Sequence, residues 1–293
     1  MPARTDHDQV SSEGPASVPA RTDHDQVSSE GPATVPARTD HDQVSSEGPA
    51  SVPARREIAM RAATEGGPYD SRPSVPLTIG RYDADDALLA AVRADGVTRL
   101  AVTRPAGPLV VLGAGSKPER ELHLEAVAAD GVPVVRRAGG GCSVVLDPGN
   151  VVVSIVLPSE GLPGIRTAFD WISSFVIDGL ARTGLPGVTC EGVSDLALDG
   201  RKIAGACIHK DRSLVHYSVT ILADPNLGLL PRYLQHPPRE PEYRRSRGHL
   251  EFVRALADLD PAWTAPRLAA ALDAALAPAE LLATPFPERG PAR

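Results

Sequence analysis

A polar tandem repeat restricts where a folded domain can lie in this chain. Three copies of PARTDHDQVSSEGPASV occupy residues 2–52, and Thr34 is the one departure from the shared pattern. Each copy offers little more than valine and alanine among its polar residues, so it cannot bury enough apolar surface to offset its ordering entropy. We therefore expect residues 1–76 to form a disordered tail. The near identity of the copies favours a recent duplication or a true start at Met60.

The residues after the repeats suffice for one domain. The stretch from Met60 to Arg293 has the length of an ordinary domain, and a hydrophobic content of 42% with 23% charged residues excludes a wholly disordered protein. The three repeats carry −6 of the formal net charge of −7, so the rest of the chain is close to neutral. A neutral domain lacks the basic surface that grips phosphate backbones. We expect no nucleic acid partner.

Composition also predicts the compartment. No apolar run approaches the roughly 18 residues that a membrane span needs. The amino terminus is polar and acidic, unlike a secretory signal. Cys142, Cys190 and Cys207 show neither Cys-x-x-Cys pairing nor zinc-ligand spacing. These features predict a cytoplasmic protein with free thiols, no membrane association and no metal site of its own.

From residue 77 onward, strands and helices alternate in an order typical of a mixed domain. Periodicity and turn residues predict helices over Asp86–Ala94, 118–130, Ile165–Arg182, 247–258 and 265–276. They predict strands over Thr98–Thr103, Leu109–Leu112, Val132–Arg136, Val151–Leu157, Asp195–Leu198, Lys202–Ala206 and Leu214–Leu222. Asp85 and Asp86 are expected to cap the first helix. Several strands are joined by hairpins, which argues against a doubly wound parallel sheet.

The first candidate site is the run Arg136-Arg137-Ala138-Gly139-Gly140-Gly141-Cys142. Successive glycines let a backbone turn several N–H groups toward one point, and arginines entering that turn suggest an anion such as a phosphate or carboxylate. The alternative is a flexible loop or bulge with surface arginines. The run is neither a P-loop nor a Gly-x-Gly-x-x-Gly motif, because Val144 occupies the last position.

The second candidate is Lys202, which lies just beyond the hairpin signal Asp199-Gly200. Strand alternation places Lys202 on the same face as Ala204 and Ala206, whose small side chains leave room for a ligand. A lysine there can present a point charge to a phosphate or acyl oxygen. The alternative is a solvent-facing lysine on an edge strand, where it discourages pairing with other chains.

In combination, these motifs resemble the lipoate–protein ligase A family of the biotin/lipoate protein ligase catalytic domain superfamily. The resemblance covers roughly residues 77–255. Its residues are Val110-Val111-Leu112-Gly113, Pro118, Glu121, Arg136-Arg137, Gly139-Gly140-Gly141, Asp147, Gly149-Asn150, Ser194-Asp195-Leu196, Gly200-Arg201-Lys202-Ile203, Gly205, His216 with Ser218, and Pro237-Pro238-Arg239-Glu240-Pro241 with Tyr243-Arg244. Several motifs in the right order are far more specific than any one of them.

The resemblance implies an α+β fold with a mixed, largely antiparallel sheet and flanking helices. Residues 77–260 would form the catalytic domain, and 261–293 a helical extension and tail. It also implies two chemical steps. ATP and lipoate, or octanoate, give acyl-AMP, and a lysine of a lipoyl carrier domain then takes the acyl group. Such carriers are 2-oxoacid dehydrogenase E2 subunits or the glycine cleavage H protein.

The resemblance further implies residue roles. Lys202 would contact the α-phosphate and acyl oxygens as charge develops, and Asp195 would face the nucleotide. Magnesium would screen the triphosphate, and Val151–Val153 would flank the acyl tail. A loop at 113–121 or 205–212 would close over the anhydride. The remaining binding residues would be Arg137, Gly139, Gly140, Gly141, Gly205 and His216.

Two departures from the family pattern leave alternatives open. Ala138 stands where serine is usual, and Leu146 stands where histidine is usual. The chain after residue 260 is also too short for the accessory domain of longer ligases, so activation would need a separate accessory protein or would be absent. One rival function is octanoyl transfer through Cys190 as the acyl nucleophile. The other is a non-catalytic homologue that binds lipoate or its carrier.

Overall fold

The computed structural model describes residues 77–162 and 164–286, and the tail predicted over residues 1–76 lies outside them. The strands are β1 Ile79–Arg81, β2 Arg99–Thr103, β3 Leu109–Leu112, β4 Val134–Arg136, β5 Val144–Leu146, β6 Asn150–Pro158, β7 Thr189–Glu191, β8 Asp195–Leu198, β9 Arg201–Lys210 and β10 Leu214–Leu222. The helices are α1 Asp86–Asp95, α2 Pro118–Glu121, α3 Leu124–Ala129, α4 Ile165–Arg182, α5 Leu229–Tyr233, α6 His249–Phe252, α7 Ala265–Ala275 and α8 Pro278–Ala283. Short 3₁₀ turns cover Glu242–Arg244 and Leu256–Asp258.

The strands form two sheets rather than one. The larger sheet is antiparallel with the order β2-β6-β10-β9-β8-β7. The smaller sheet has the order β1-β4-β3-β5, in which β4 runs parallel to β1 and β3, and β5 runs antiparallel to β3. The predicted α+β class is confirmed. Its mixed pairing belongs to the small sheet, because the helical segment of α2 and α3 connects β3 to the parallel strand β4.

The main core lies between the large sheet and the helices α4 and α7. Strand β6 is buried at every residue but Pro158, which explains its uninterrupted apolar sequence. Helix α4 buries Phe169, Ile172, Val176 and Leu180 at helical spacing against the sheet. Among the helices that the structure describes, none combines the length and apolarity needed to cross a membrane.

The helix predicted over 118–130 is interrupted. Helix α2 ends at Glu121 and α3 begins at Leu124, because Leu122 forms an isolated antiparallel bridge with Leu234. The His123 amide donates to the Tyr233 carbonyl and the Glu121 carbonyl accepts from the Gln235 amide, so the backbone on either side of Leu122 pairs with a distant segment. Strands β1, β5 and β7 were not predicted, since each is too short to show a periodic pattern.

A buried hydrogen bond joins α4 to the centre of the large sheet. Tyr217 of β10 has no solvent exposure, and its hydroxyl lies 3.1 Å from the Ser173 hydroxyl. The Tyr217 ring also packs on Phe169, with centroids 5.5 Å apart. Burial raises the pKa of Tyr217, opposed by the Ser173 hydrogen bond. The pair fixes the helix over the strand whose other face reaches the cavity described below.

This pair predicts an order of stabilities. Ser173→Ala leaves the Tyr217 hydroxyl buried without its partner, so we expect the free energy of unfolding to fall by roughly 1–3 kcal/mol. Adding Tyr217→Phe removes the orphaned hydroxyl, so the double variant should be more stable than Ser173→Ala. Urea denaturation of the three proteins measures the order. A double variant less stable than Ser173→Ala would contradict it.

Candidate active site

A cavity of about 950 Å³ is lined by residues of both sheets. Strand β10 supplies His216, Ser218, Thr220 and Leu222, while the alternate residues of that strand point into the main core. The wall therefore changes along one strand from an imidazole through hydroxyls to an aliphatic side chain. Its apolar end is completed by Val145, Leu146, Leu230 and Leu234.

The glycine-rich loop follows β4 and forms one rim of the cavity. The Arg137 guanidinium donates to the carbonyl oxygens of Gly140 at 2.7 Å and Cys142 at 2.9 Å. Arg136 donates in the same way to the carbonyls of Gly113 at 2.8 Å and Ser116 at 2.9 Å. Both arginines thus hold backbone loops. The predicted residues Arg137, Gly139 and Gly141 line the cavity, whereas Gly140 accepts from Arg137 and does not line it.

Two loops approach so closely that they require glycine. A Cβ atom on Gly113 would lie 1.9 Å from the carbonyl oxygen of Gly141. A Cβ atom on Gly139 would lie 2.9 Å from the Cys207 sulfur. Gly141 itself has φ of 92°, in the left-handed region that favours glycine. The contact with the Cys207 side chain and the positive φ therefore explain Gly139 and Gly141, whereas a Cβ atom on Gly140 meets nothing within 4 Å.

Glu121 is a buried carboxylate that was not among the predicted site residues. Its Oε2 accepts hydrogen bonds from the Ser116 hydroxyl at 2.9 Å and from the Ser143 amide and hydroxyl, each at 2.7 Å. Glu121 therefore ties the loop after β3 to the end of the glycine-rich loop. Its position in the first turn of a helix and its place in the family resemblance were the available signals, and Ser143 is 22 residues away.

Lys202 and Asp195 line the cavity and form a hydrogen-bonded trio with Tyr243, which does not line it. The Lys202 ammonium lies 2.6 Å from Oδ1 of Asp195, and the other oxygen of Asp195 accepts from the Tyr243 hydroxyl at 2.9 Å. Burial, followed by the charge of Asp195, raises the pKa of Tyr243 well above its usual range. The Asp195 carboxylate is thereby engaged on both oxygens. Tyr243 was not selected as a site residue because it is 48 residues away from Asp195.

A β-bulge places the Lys202 side chain. The pairing of β8 with β9 moves from Leu196–Ala204 to Ala197–Lys202, so Ile203 is skipped. The bulge reverses the alternation, and Lys202 shares its face with Gly205 rather than with Ala204. Gly205 leaves the space, since a Cβ atom there would lie 2.9 Å from the Lys202 nitrogen. The prediction that Lys202 and Ala204 share a face was wrong, because Ala204 is buried in the core. Ala206, predicted on the same face, does line the cavity.

The polar end of the cavity brings His216 to Asp85. His216 Nε2 and Asp85 Oδ2 are 3.2 Å apart, but the contact lacks hydrogen-bond geometry and both atoms are buried without a partner. Asp85 was expected to cap α1, yet its side chain makes no capping hydrogen bond. His209 faces His216 across the strands, and burial raises the pKa of nearby Tyr82 to about 12.

Three other sequence expectations do not reach the cavity. Cys190 lies on β7, where partial burial and then the carboxylate of Asp170 on α4 raise the pKa of its thiol. Cys190 is absent from the lining, and Val151 and Val153 are core residues under α4. Most of the 205–212 segment expected to close as a loop belongs to strand β9.

Comparison with known sequences decides the family. Residues 81–277 match the profile of the lipoyl protein ligase A/B catalytic domain. The chain belongs to this family. The predicted resemblance to lipoate–protein ligase A is confirmed, because the family match spans well over half of the chain and relatives carry that name.

Two relatives show how much of the sequence is similar to that of other family members. A protein from Aeropyrum pernix, provisionally named lipoate–protein ligase A, is 34% identical over 119 residues, which are 40% of this chain and 44% of the relative. A protein from Mycoplasma pneumoniae with a similarly provisional name is 33% identical over 127 residues, 43% of this chain and 36% of the relative. The match thus spans less than half of either relative.

Solved structures confirm the fold. A bipartite lipoate protein ligase from Thermoplasma acidophilum, described with its E2 lipoyl domain, superposes with a TM-score of 0.57 at 22% identity, covering 73% of this chain and 84% of the other. A lipoate–protein ligase A bound with ATP gives 0.56 at 22% identity, covering 70% and 81%. The ligase catalytic-domain fold expected from the motifs is therefore present.

The contact between the two loops predicts the effect of one added methyl group. In Gly113→Ala the Cβ atom would meet a backbone carbonyl, which cannot rotate away, so we expect the free energy of unfolding to fall by roughly 1–3 kcal/mol. Gly115→Ala is the matched control, because a Cβ atom there meets nothing within 4 Å. Equal unfolding midpoints for the two variants in urea would refute the contact.

Proposed function

We propose that this protein is an ATP-dependent lipoate–protein ligase. It would activate lipoate or octanoate as acyl-AMP and transfer the acyl group to a lysine of a lipoyl carrier domain. The observation that carries the proposal is the Lys202 ammonium, held in the cavity by Asp195 at 2.6 Å beside the rim of the glycine-rich loop. A fixed cation in a partly enclosed site stabilises developing negative charge far better than one in water.

The reaction needs such a charge at each step. A carboxylate oxygen of the fatty acid attacks the α-phosphorus of ATP, and the bond to pyrophosphate breaks. The amine of the carrier lysine then attacks the acyl carbon, the bond to AMP breaks, and the amine loses a proton. Lys202 would bind the oxygens on which negative charge accumulates, and Asp195 would position it.

The apolar end of the cavity is suited to the acyl tail. Leu146 and Leu234 are buried, and Leu222 and Leu230 complete an aliphatic wall. Leu146, where the family pattern leads us to expect histidine, makes this wall more apolar. This assignment replaces Val151–Val153, because Val151 and Val153 lie in the main core and Val152 is buried without lining the cavity.

The nucleotide and metal assignments draw on relatives. One structural relative is described as bound with ATP and another with lipoic acid. Within residues 77–162 and 164–286, no group of three or more His, Cys, Asp or Glu side chains is arranged to hold a metal ion. Magnesium often binds through substrate phosphates and waters with few protein carboxylates. We therefore propose that magnesium enters with the triphosphate.

The partner assignment also draws on relatives. The Thermoplasma acidophilum ligase is described as bipartite and together with its E2 lipoyl domain. By analogy, we propose lipoyl carrier domains as acceptors, and a separate accessory protein remains a prediction. Free thiols at Cys142, Cys190 and Cys207 are compatible with the proposed cytoplasmic location.

Lys202→Ala tests the central assignment. Removal of the ammonium should lower the rate of acyl-AMP formation from ATP, magnesium and lipoate by on the order of 10²- to 10³-fold, because Lys202 is the cation that forms the salt bridge with Asp195 among the described residues. Mass spectrometry of acyl-AMP with pyrophosphate release measures the rate. Lys202→Gln, which retains a donor for Asp195, should lose the same activity.

Lys210→Ala is the matched control for Lys202. Lys210 lies on the same strand, but it is exposed and does not line the cavity, so its variant should retain the wild-type rate. Normal pyrophosphate exchange in Lys202→Ala would refute the assignment. Lipoate binding without pyrophosphate release by the wild type would instead support the non-catalytic alternative.

Cys190→Ser separates ligation from acyl transfer. Since Cys190 does not line the cavity, we expect ATP-dependent acyl-AMP formation and carrier acylation to be unchanged in this variant. Octanoyl transfer from a carrier protein is assayed in parallel without ATP. Transfer by the wild type that disappears in Cys190→Ser would favour the octanoyltransferase alternative over the ligase.

A further inference from the structure

Arg244 is a buried cation with an unused donor in the cavity wall. It ends the 3₁₀ turn Glu242–Arg244, has a relative exposure of 5% and lines the cavity. Its Nη2 atom is buried and has no hydrogen-bond partner. Buried polar groups are nearly always hydrogen-bonded, and a buried charge is expensive unless it is paired. An orphaned guanidinium nitrogen at a cavity therefore points to a ligand.

The partners that Arg244 does have leave its charge incompletely neutralised. Nε donates to the carbonyl of Arg247 at 3.0 Å, and the Glu240 carboxylate lies 3.5 Å from Nε. The guanidinium stacks over the ring of Phe252 at 4.7 Å. Burial lowers the pKa of Arg244, and the charges of Glu240 and then Asp195 oppose that shift. Arg244 is thus within electrostatic reach of the carboxylate that holds Lys202.

The two residues after this 3₁₀ turn have unfavourable backbone conformations. Arg245 and Ser246 have φ of 53° and 58°, in the left-handed region that residues other than glycine rarely adopt. The Ser246 amide donates to Glu240 at 3.0 Å, and Arg247 donates to the Gly200 carbonyl in the β8–β9 turn at 3.0 Å. These bonds anchor the turn to the same hairpin that carries Lys202.

We propose that Arg244 binds a phosphate oxygen of the nucleotide, so that Lys202 and Arg244 together hold the phosphoryl group beside Asp195. The planar guanidinium can donate two parallel hydrogen bonds to phosphate oxygens. Arg136 and Arg137 are less available for this role, because they already donate to backbone carbonyls. This inference rests on the proposed function. A phosphate stays charged through both steps, whereas the fatty-acid carboxylate loses its charge on activation. A cation on the phosphate therefore retains the anhydride.

Calorimetry with charged and uncharged ligands tests the proposal. Wild type, Arg244→Gln and Arg245→Gln are titrated with ATP, AMP, adenosine and octanoate. Arg244→Gln should weaken ATP and AMP binding by roughly 10- to 100-fold and leave adenosine and octanoate unchanged. Arg245→Gln is the matched control, since Arg245 is exposed, adjacent and outside the cavity lining. Arg244→Lys, which keeps a charge, should fall between wild type and Arg244→Gln.

Each other outcome overturns the inference in a distinct way. Equal losses for adenosine and AMP would make Arg244 a purely structural residue. Weakened octanoate binding with intact AMP binding would assign it to the carboxylate. Unchanged ATP binding in Arg244→Gln, with ATP bound by the wild type, would refute the Arg244 assignment alone. A wild type that binds neither ATP nor AMP would overturn both this inference and the proposed ligase.

Discussion

Contact between two backbone turns fixes the geometry of the cavity. The turn after β3 and the glycine-rich loop after β4 meet where a Cβ atom on Gly113 would lie 1.9 Å from a carbonyl oxygen of Gly141. Arg136, Arg137 and Glu121 surround that contact with hydrogen bonds to both turns. Charged side chains thus organise a backbone surface, and the small sheet carries that surface opposite the large one.

The large sheet contributes the Lys202 ammonium to the cavity through an irregularity. The bulge between β8 and β9 turns Lys202 onto the face of Gly205, and Asp195 holds its ammonium. If Ile203 were paired in a regular ladder, the lysine would share the face of Ala204, which is core. A one-residue shift in register therefore decides whether the lysine side chain points into the cavity or into the apolar core.

Much of the fold follows from sequence periodicity, and less of the site does. The bounds of α4 and β3 were predicted to the residue, because one long amphipathic pattern and one short apolar run have clear ends. Lys202 and the glycine run could be proposed as candidates because their signals are local, and Lys202, Gly139 and Gly141 do line the cavity. Glu121 and Tyr243 were not assigned to the site because their partners Ser143 and Asp195 lie far away in the chain. Arg244 was not assigned because its burial at the cavity depends on tertiary packing.

The same distinction explains the wrong expectations. Alternation along a strand gives a face only while the ladder is regular, and a bulge such as that at Ile203 leaves no strong mark in one sequence. Asp85 resembles a helix cap locally, but the buried imidazole of His216, on a strand in the second half of the chain, lies beside its carboxylate instead. Local preference was outweighed by tertiary contact in both cases.

The graded wall of β10 has a consequence for how an amphiphile enters. Residues His216, Ser218, Thr220 and Leu222 follow one another at alternate positions, from an ionisable side chain to an aliphatic one. A molecule with one charged and one aliphatic end would face a large dehydration penalty if its charged end lay beside Leu222. The difference in solvation between the two ends of the cavity therefore sets the orientation in which such a molecule binds.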